Sequence, residues 1–158
     1  MNLSSWFQQQ LQASADGFVW AVVQMPPERR FASPPLLFGE WSAARHAFHM
    51  LFYERTVALP SMRQWLGGPP PAVFGTSEET AWRGRADNDL EGLLVAFGEI
   101  RAEQVGLLSQ FDGSAWDEPR STIWGSMPLR WVVTKTYQHT AEHTHNVLSM
   151  ALFWDMVG

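Results

Sequence analysis

Apolar residues recur at helical spacing in four separate segments of the chain, and this repetition is the strongest constraint on its fold. In the third segment the apolar positions form one stripe along a helix: Leu90, Leu93, Leu94, Phe97, Ile100, Leu107, Leu108 and Phe111. Such spacing places side chains on one side of an α-helix. No two alternating runs are joined by a tight turn, so strands are not expected. The pattern predicts an all-α four-helix bundle.

Capping and breaking residues set the expected ends of the first two helices. Ser4 or Ser5 can cap the first helix, because a serine hydroxyl accepts a hydrogen bond from a free backbone N–H group of the first turn. Ser42 can cap the second helix in the same way. We expect this second helix to run to about Leu59, where Pro60 kinks or interrupts it before Gly67 and Gly68 close the segment.

The second half of the chain carries similar signals. Residues 67–86, with three consecutive prolines, are expected to form a long crossover loop between helices two and three. Asp87 or Asn88 then caps the third helix. Ser126 precedes Met-Pro and marks the start of a last helix, since proline is tolerated in the first turn. This helix is expected to span residues 129–154.

Length and charge exclude several classes of protein. The 158 residues fit one domain, spanning 1–158, with a core of its own. With 46% hydrophobic and 17% charged residues the chain is not of the disordered class. A net charge of -5 argues against binding to nucleic acid, which attracts basic surfaces.

The sequence also limits the chemistry and the cellular location. It contains no cysteine, so disulfides, thiolate nucleophiles, iron–sulfur clusters and cysteine-bound zinc are excluded. Any metal must therefore be held by His, Asp or Glu. The N-terminal residues lack the features of a signal peptide, and no apolar run is long enough to span a bilayer. We expect a cytoplasmic protein without membrane association.

Three of the five histidines lie in residues 137–146, YQHTAEHTHN, within the predicted last helix. His139 and His143 are four residues apart and are therefore neighbours on one helix face, with Cβ atoms about 6 Å apart. Two imidazoles at this spacing can bind one divalent ion, which then needs a third protein ligand. His145 points about 140° away from the pair and is expected to be solvated or packed. The spacing alone also fits an ordinary solvated helix.

The second helix offers two candidates for the third ligand, His46 and His49. The apolar side of this helix consists of Ala43, Ala44, Ala47, Met50, Leu51 and Ala58. His49 lies roughly opposite that side, which fits either a polar cleft at one end of the bundle or a solvated face. The pattern therefore leaves both histidines open.

Two local signatures resemble the DinB/YfiT-like superfamily of metalloenzymes, and the order of elements agrees over nearly the whole chain. In the first signature Trp41 opens helix two, with His49 eight positions later and Glu54 five further on. The second signature is the pair His139 and His143 in the last helix. The resemblance implies an up-down-down-up bundle in which the three histidines bind one divalent metal.

The same resemblance implies a function for this site. The metal is expected to be zinc or nickel, with manganese or iron as further options. It would activate a thiol or a water molecule, so that the protein acts as a metal-dependent transferase or hydrolase on a small-molecule substrate. A low-molecular-weight thiol such as bacillithiol or mycothiol is an expected partner, and a homodimer is an expected assembly. His46 and His145 receive no role.

Two other interpretations were weighed. A ferritin-like di-iron site needs Glu-x-x-His twice, and only Glu142 with His145 provides that spacing, so it ranks lower. The second alternative is a non-catalytic homodimeric interaction or stress-response protein with a structural or vestigial metal. Glu54 is either a residue that supports the ligands or an ordinary solvated or ion-paired side chain. Apart from the ligands, no catalytic residue is identified.

Overall fold

The computed structural model describes residues 2–71, 77–85 and 89–157. Six α-helices lie in these residues: α1 Leu3–Gln24, α2 Ala43–Tyr53, α3 Leu59–Arg63, α4 Glu78–Arg83, α5 Leu90–Leu107 and α6 Leu129–Phe153. Short 3-10 turns occur at Pro27–Arg29, Leu36–Phe38, Gln64–Leu66, Leu108–Gln110 and Trp154–Met156. The all-α prediction is confirmed. Among the described helices none has the length and apolar character that crossing a bilayer requires.

Polar side chains cap the helices, although not always the expected ones. Asn2, rather than Ser4 or Ser5, caps α1, because its carboxamide oxygen accepts from the Ser5 N–H. Ser42 caps α2 as predicted, accepting from the backbone N–H of the third helical residue at 3.2 Å. Helix capping satisfies donors that have no intrahelical partner.

The caps of the later helices also differ from the prediction. Asp89 caps α5 and accepts from the backbone of Gly92 at 2.8 Å, whereas Asp87 and Asn88 lie outside the described residues. Helix α6 begins at Leu129 as predicted, but Ser126 does not start it, because this residue belongs to a strand and Pro128 occupies the cap position.

Pro60 does not interrupt the second helix, which continues to Leu66. A π-helical segment, Glu54–Ala58, connects α2 to α3, and the Leu59 N–H bonds to the carbonyl of Glu54. Proline lacks an N–H and clashes with the carbonyl four residues earlier. The wider π turn just before Pro60 accommodates both effects, and such π segments are frequent at functional sites. The expected end near Leu59 was therefore wrong, whereas the segment closes at Gly67 as predicted.

A β-hairpin was missed between α5 and α6. Strands β1 (Pro119–Thr122) and β2 (Gly125–Pro128) pair antiparallel around a tight turn, with Gly125 at φ 95. A positive φ is readily adopted by glycine. Neither strand shows alternating apolar residues, and each has a proline at its outer end, so strand rules do not detect them.

Two buried apolar clusters lie toward opposite ends of the bundle and define its topology. One contains Phe18, Ala47, Phe97 and Met150, from late α1, early α2, early α5 and late α6. The other contains Leu11, Met62, Leu108 and Val133, from the opposite ends of the same helical segments. Helices α1 and α6 therefore run parallel to each other and antiparallel to α2 and α5. This is the up-down-down-up order that the resemblance implied.

Arg101 of α5 lies fully buried between the two clusters. Its guanidinium donates to the Leu11 carbonyl and the Ser14 hydroxyl of α1, to the carboxylate of Glu54, and to the hydroxyl of Thr140 in α6. One side chain thus contacts the other three long helical segments. Glu54 is equally buried and accepts a second hydrogen bond from the Gln104 amide.

We predict that Arg101→Met lowers the free energy of unfolding by about 3 to 5 kcal/mol, because it leaves the Glu54 carboxylate buried without its cation. Arg63→Met is the matched control: it breaks the ion pair with Glu103 at the surface and should cost about 0 to 1 kcal/mol. Urea denaturation followed by circular dichroism measures both. Equal losses would contradict the role assigned to the buried pair.

The stability loss in Arg101→Met should depend on pH. Burial raises the pKa of Glu54, and the charge of Arg101 opposes that rise. Without Arg101 the native pKa rises further above the unfolded value, so the variant loses stability as the pH increases through that pKa. We expect the difference in free energy of unfolding between the variant and the unmodified protein to be larger near about pH 8 than near about pH 5. If this difference does not change with pH, ionisation of Glu54 does not cause the loss of stability.

Candidate metal centre

The structure brings together the three histidines singled out from the sequence. His139 and His143 project from one face of α6, and His49 reaches them from α2. The Nε2 atoms of His49 and His139 are 3.0 Å apart, and those of His139 and His143 are 3.2 Å apart. Within the described part of the chain, this is the group of side chains that could hold a metal ion.

These separations are close to those of ligands on one cation. Imidazole nitrogens at 2.0–2.1 Å from zinc in tetrahedral geometry are about 3.4 Å from one another. Three nitrogens converging at this distance cannot all be satisfied by hydrogen bonds among themselves, since a neutral imidazole has one N–H and one lone pair. The donor set therefore fits a divalent metal.

The outer nitrogen of His49 contacts a carboxylate. Its Nδ1 lies 2.8 Å from Oε2 of Glu78, the first residue of α4. An ionised carboxylate can only accept, so Nδ1 carries the proton and Nε2 keeps its lone pair for the metal. Burial alone would raise the pKa of Glu78, but the hydrogen bond with His49 and the charge of Arg45 hold that pKa below its usual value.

His46 supports His143 in a comparable way. Its Nδ1 lies 2.7 Å from Nδ1 of His143, and its side chain is buried. When His143 uses Nε2 as a ligand, its Nδ1–H donates to the lone pair of His46. The sequence left His46 without a role. It is a buried partner of a proposed ligand.

The outer nitrogen of His139 is buried and has no hydrogen-bond partner among the described residues. The ring instead packs against Tyr53, with centroids 4.1 Å apart. The orientation of His139 is therefore set by ring packing and by the two neighbouring imidazoles. A cation bound at Nε2 would add a further interaction that fixes the ring.

Burial favours the neutral form of two proposed ligands, His139 and His143, and of their neighbour His46; metal binding requires neutral imidazoles. Burial lowers the pKa of His46 to about 4, of His139 to about 3 and of His143 to about 2. Charge repulsion from neighbouring histidines adds to the effect on each of them. Because a metal ligand must present a lone pair, these low values favour the cation over the proton.

An aromatic and cationic wall closes one side of the site. The Trp41 ring stacks on the ring of His143, with centroids 6.1 Å apart, and its centroid lies 4.9 Å from that of the His49 ring. The guanidinium of Arg45 sits 4.8 Å from the Trp41 ring and forms an ion pair with Glu78. The carboxylate that orients His49 is thus itself held in place.

The remaining sequence candidates lie away from the three nitrogens. Glu54 pairs with Arg101 and does not touch a proposed ligand, while Glu142 and His145 are exposed. The candidate group contains no carboxylate, whereas a ferritin-like di-iron site needs four glutamates. The di-iron alternative therefore has no structural support.

Glu78, like His46, is a residue of the site to which the sequence assigned no role. A signal was present, because Ser77 followed by two glutamates is a typical helix start. This helix start was not recognised because residues 67–86 were interpreted as one long loop. Ser77 caps α4 by accepting from the Thr80 N–H, and this short helix presents Glu78 to His49.

Comparison with known proteins identifies the family. No curated protein and no solved structure gave a significant match. The family model described as the DinB superfamily matches residues 10–147, which include every residue of the centre. The chain therefore belongs to the DinB superfamily.

Proposed function

We propose that this protein is a metal-dependent transferase or hydrolase that uses a thiol or a water molecule as the nucleophile on a small-molecule substrate. His49, His139 and His143 would hold one divalent ion, with zinc or nickel favoured. The observation that carries the proposal is the convergence of three Nε2 atoms at 3.0 and 3.2 Å. Each belongs to a neutral ligand, so the ion would keep its full charge.

The chemistry follows from that donor set. A divalent ion on three neutral imidazoles can act as a Lewis acid and lower the pKa of a bound water or thiol. The protein's own groups would hold the ligands: Glu78 orients His49, and His46 supports His143. Such outer contacts raise ligand basicity and fix the ring orientation.

A second candidate function is a non-catalytic homodimeric protein whose metal is structural. It is favoured by large apolar side chains at the surface, with Leu36 85% and Leu37 74% exposed. Several exposed apolar residues, notably Leu152 and Met156, also lie near the C-terminus. Exposed apolar groups of this size are frequent at protein interfaces. This reading predicts a metal-loaded protein without turnover.

We predict that His139→Ala removes bound metal. The unmodified protein, purified without a histidine tag and dialysed, should contain about one divalent ion per chain, and the variant close to none. His145→Ala is the matched control, since it changes an exposed histidine of the same helix. Elemental analysis measures the content. Equal metal in the two variants would contradict the proposed ligand set.

Glu78→Gln should weaken metal binding by about 10- to 100-fold, because it removes the charge that raises the basicity of His49. Glu79→Gln is the control: this neighbour is more exposed and pairs with arginines instead of a ligand. Titration against a chromophoric chelator gives both affinities. If the two variants bind the metal ion with the same affinity, Glu78 does not support the proposed ligand His49.

A thiol-transfer assay tests catalysis itself. Zinc- or nickel-loaded protein should accelerate the reaction of cysteamine with 1-chloro-2,4-dinitrobenzene, whereas metal-free protein and His139→Ala should not. Hydrolysis of 4-nitrophenyl acetate tests the water-dependent alternative in parallel. Loaded protein that is inactive in both assays would favour the structural reading.

A further inference from the structure

A cavity of about 470 Å³ opens beside the metal centre. Pockets that bind small molecules usually have volumes of about 300–1,000 Å³. His49 and Glu78 form its polar end. A molecule in this cavity would therefore contact a proposed metal ligand directly, which links the cavity to the chemistry of the centre.

Most of the cavity wall is apolar and comes from two elements. The helix contributes Phe52, Tyr53 and Val57, which lie at the end of α2 and in the π segment. The turn of the hairpin contributes Ile123 and Trp124. The hairpin that the sequence did not reveal thus forms one side of a cavity next to the three histidines.

The electrostatics of the wall disfavour an anion. Among the described residues that line the cavity, none is Lys or Arg. The charged group is the carboxylate of Glu78, which already accepts from His49. In the metal-free protein an anionic ligand would leave water without gaining a cationic partner from these residues, and this costs free energy. An uncharged apolar group instead gains from burial against aromatic side chains.

Tyr53 links the cavity to a second proposed ligand. It lines the cavity, and its ring packs on His139 with centroids 4.1 Å apart. A hydrophobic group in the cavity therefore lies next to residues that contact the centre.

We propose that the cavity binds the substrate through an uncharged aromatic or branched aliphatic group. The proposal rests on the function above and names the class of molecule on which it acts. The part of the substrate that lies in the cavity is hydrophobic and carries no charge. The reactive end of the substrate faces His49, while the hydrophobic group contacts Ile123 and Trp124.

Binding of three probes to metal-free protein tests the cavity independently of the metal. Ligand-observed NMR titration should show acetophenone and ethylbenzene binding more tightly than benzoate. Benzoate binding as tightly as acetophenone would overturn the proposal.

A charge at the cavity wall provides the second arm of the test. Ile123→Glu, at a side chain that is 43% exposed, should weaken both neutral probes by about tenfold or more. Val95→Glu is the control, because Val95 is 56% exposed on α5 and lies outside the cavity. Equal affinities in these two variants would overturn the cavity assignment. If the unmodified protein binds no metal ion, the proposed function is overturned, but the affinities of these probes for the metal-free protein are unaffected.

Discussion

The buried guanidinium of Arg101 holds the four long helical segments in one arrangement. It donates to α1, to the π segment and to α6 from its own position in α5. Such a charge cannot shift without leaving Glu54 unpaired in the interior, which is strongly unfavourable. Its partner Thr140 directly follows His139, so the contact that fixes α6 also fixes the first proposed ligand of that helix opposite α2.

The candidate metal centre combines residues of the long helices with a residue from the crossover between them. Helical spacing aligns His139 with His143, and α2 adds His49. The short helix α4 in the crossover then supplies the carboxylate of Glu78. Ligands that are oriented before the metal arrives lose less conformational freedom on binding, and their outer contacts set that orientation. The crossover is therefore part of the site.

Local spacing predicted the features that depend on neighbouring residues, and it failed where distant segments meet. It gave the helices and the pair on α6, whereas the choice of His49 over His46 came from family resemblance. The contact between Glu78 and His49 joins residues 29 positions apart, so no local pattern contains it. Pro60 was expected to kink or interrupt a helix, and the π turn that accommodates it could not be predicted because it depends on tertiary packing. Glu54 within that turn pairs with Arg101 instead of supporting the ligands.

X-ray absorption spectroscopy of the zinc-loaded protein tests the central claim most directly, because it reports the ligands of the ion themselves. The account predicts three imidazole nitrogens at about 2.0–2.1 Å with one additional oxygen or sulfur ligand. The additional ligand should change from oxygen to sulfur when a thiol is added. A spectrum with one imidazole or none, or with mainly carboxylate oxygen, would contradict the three-histidine centre.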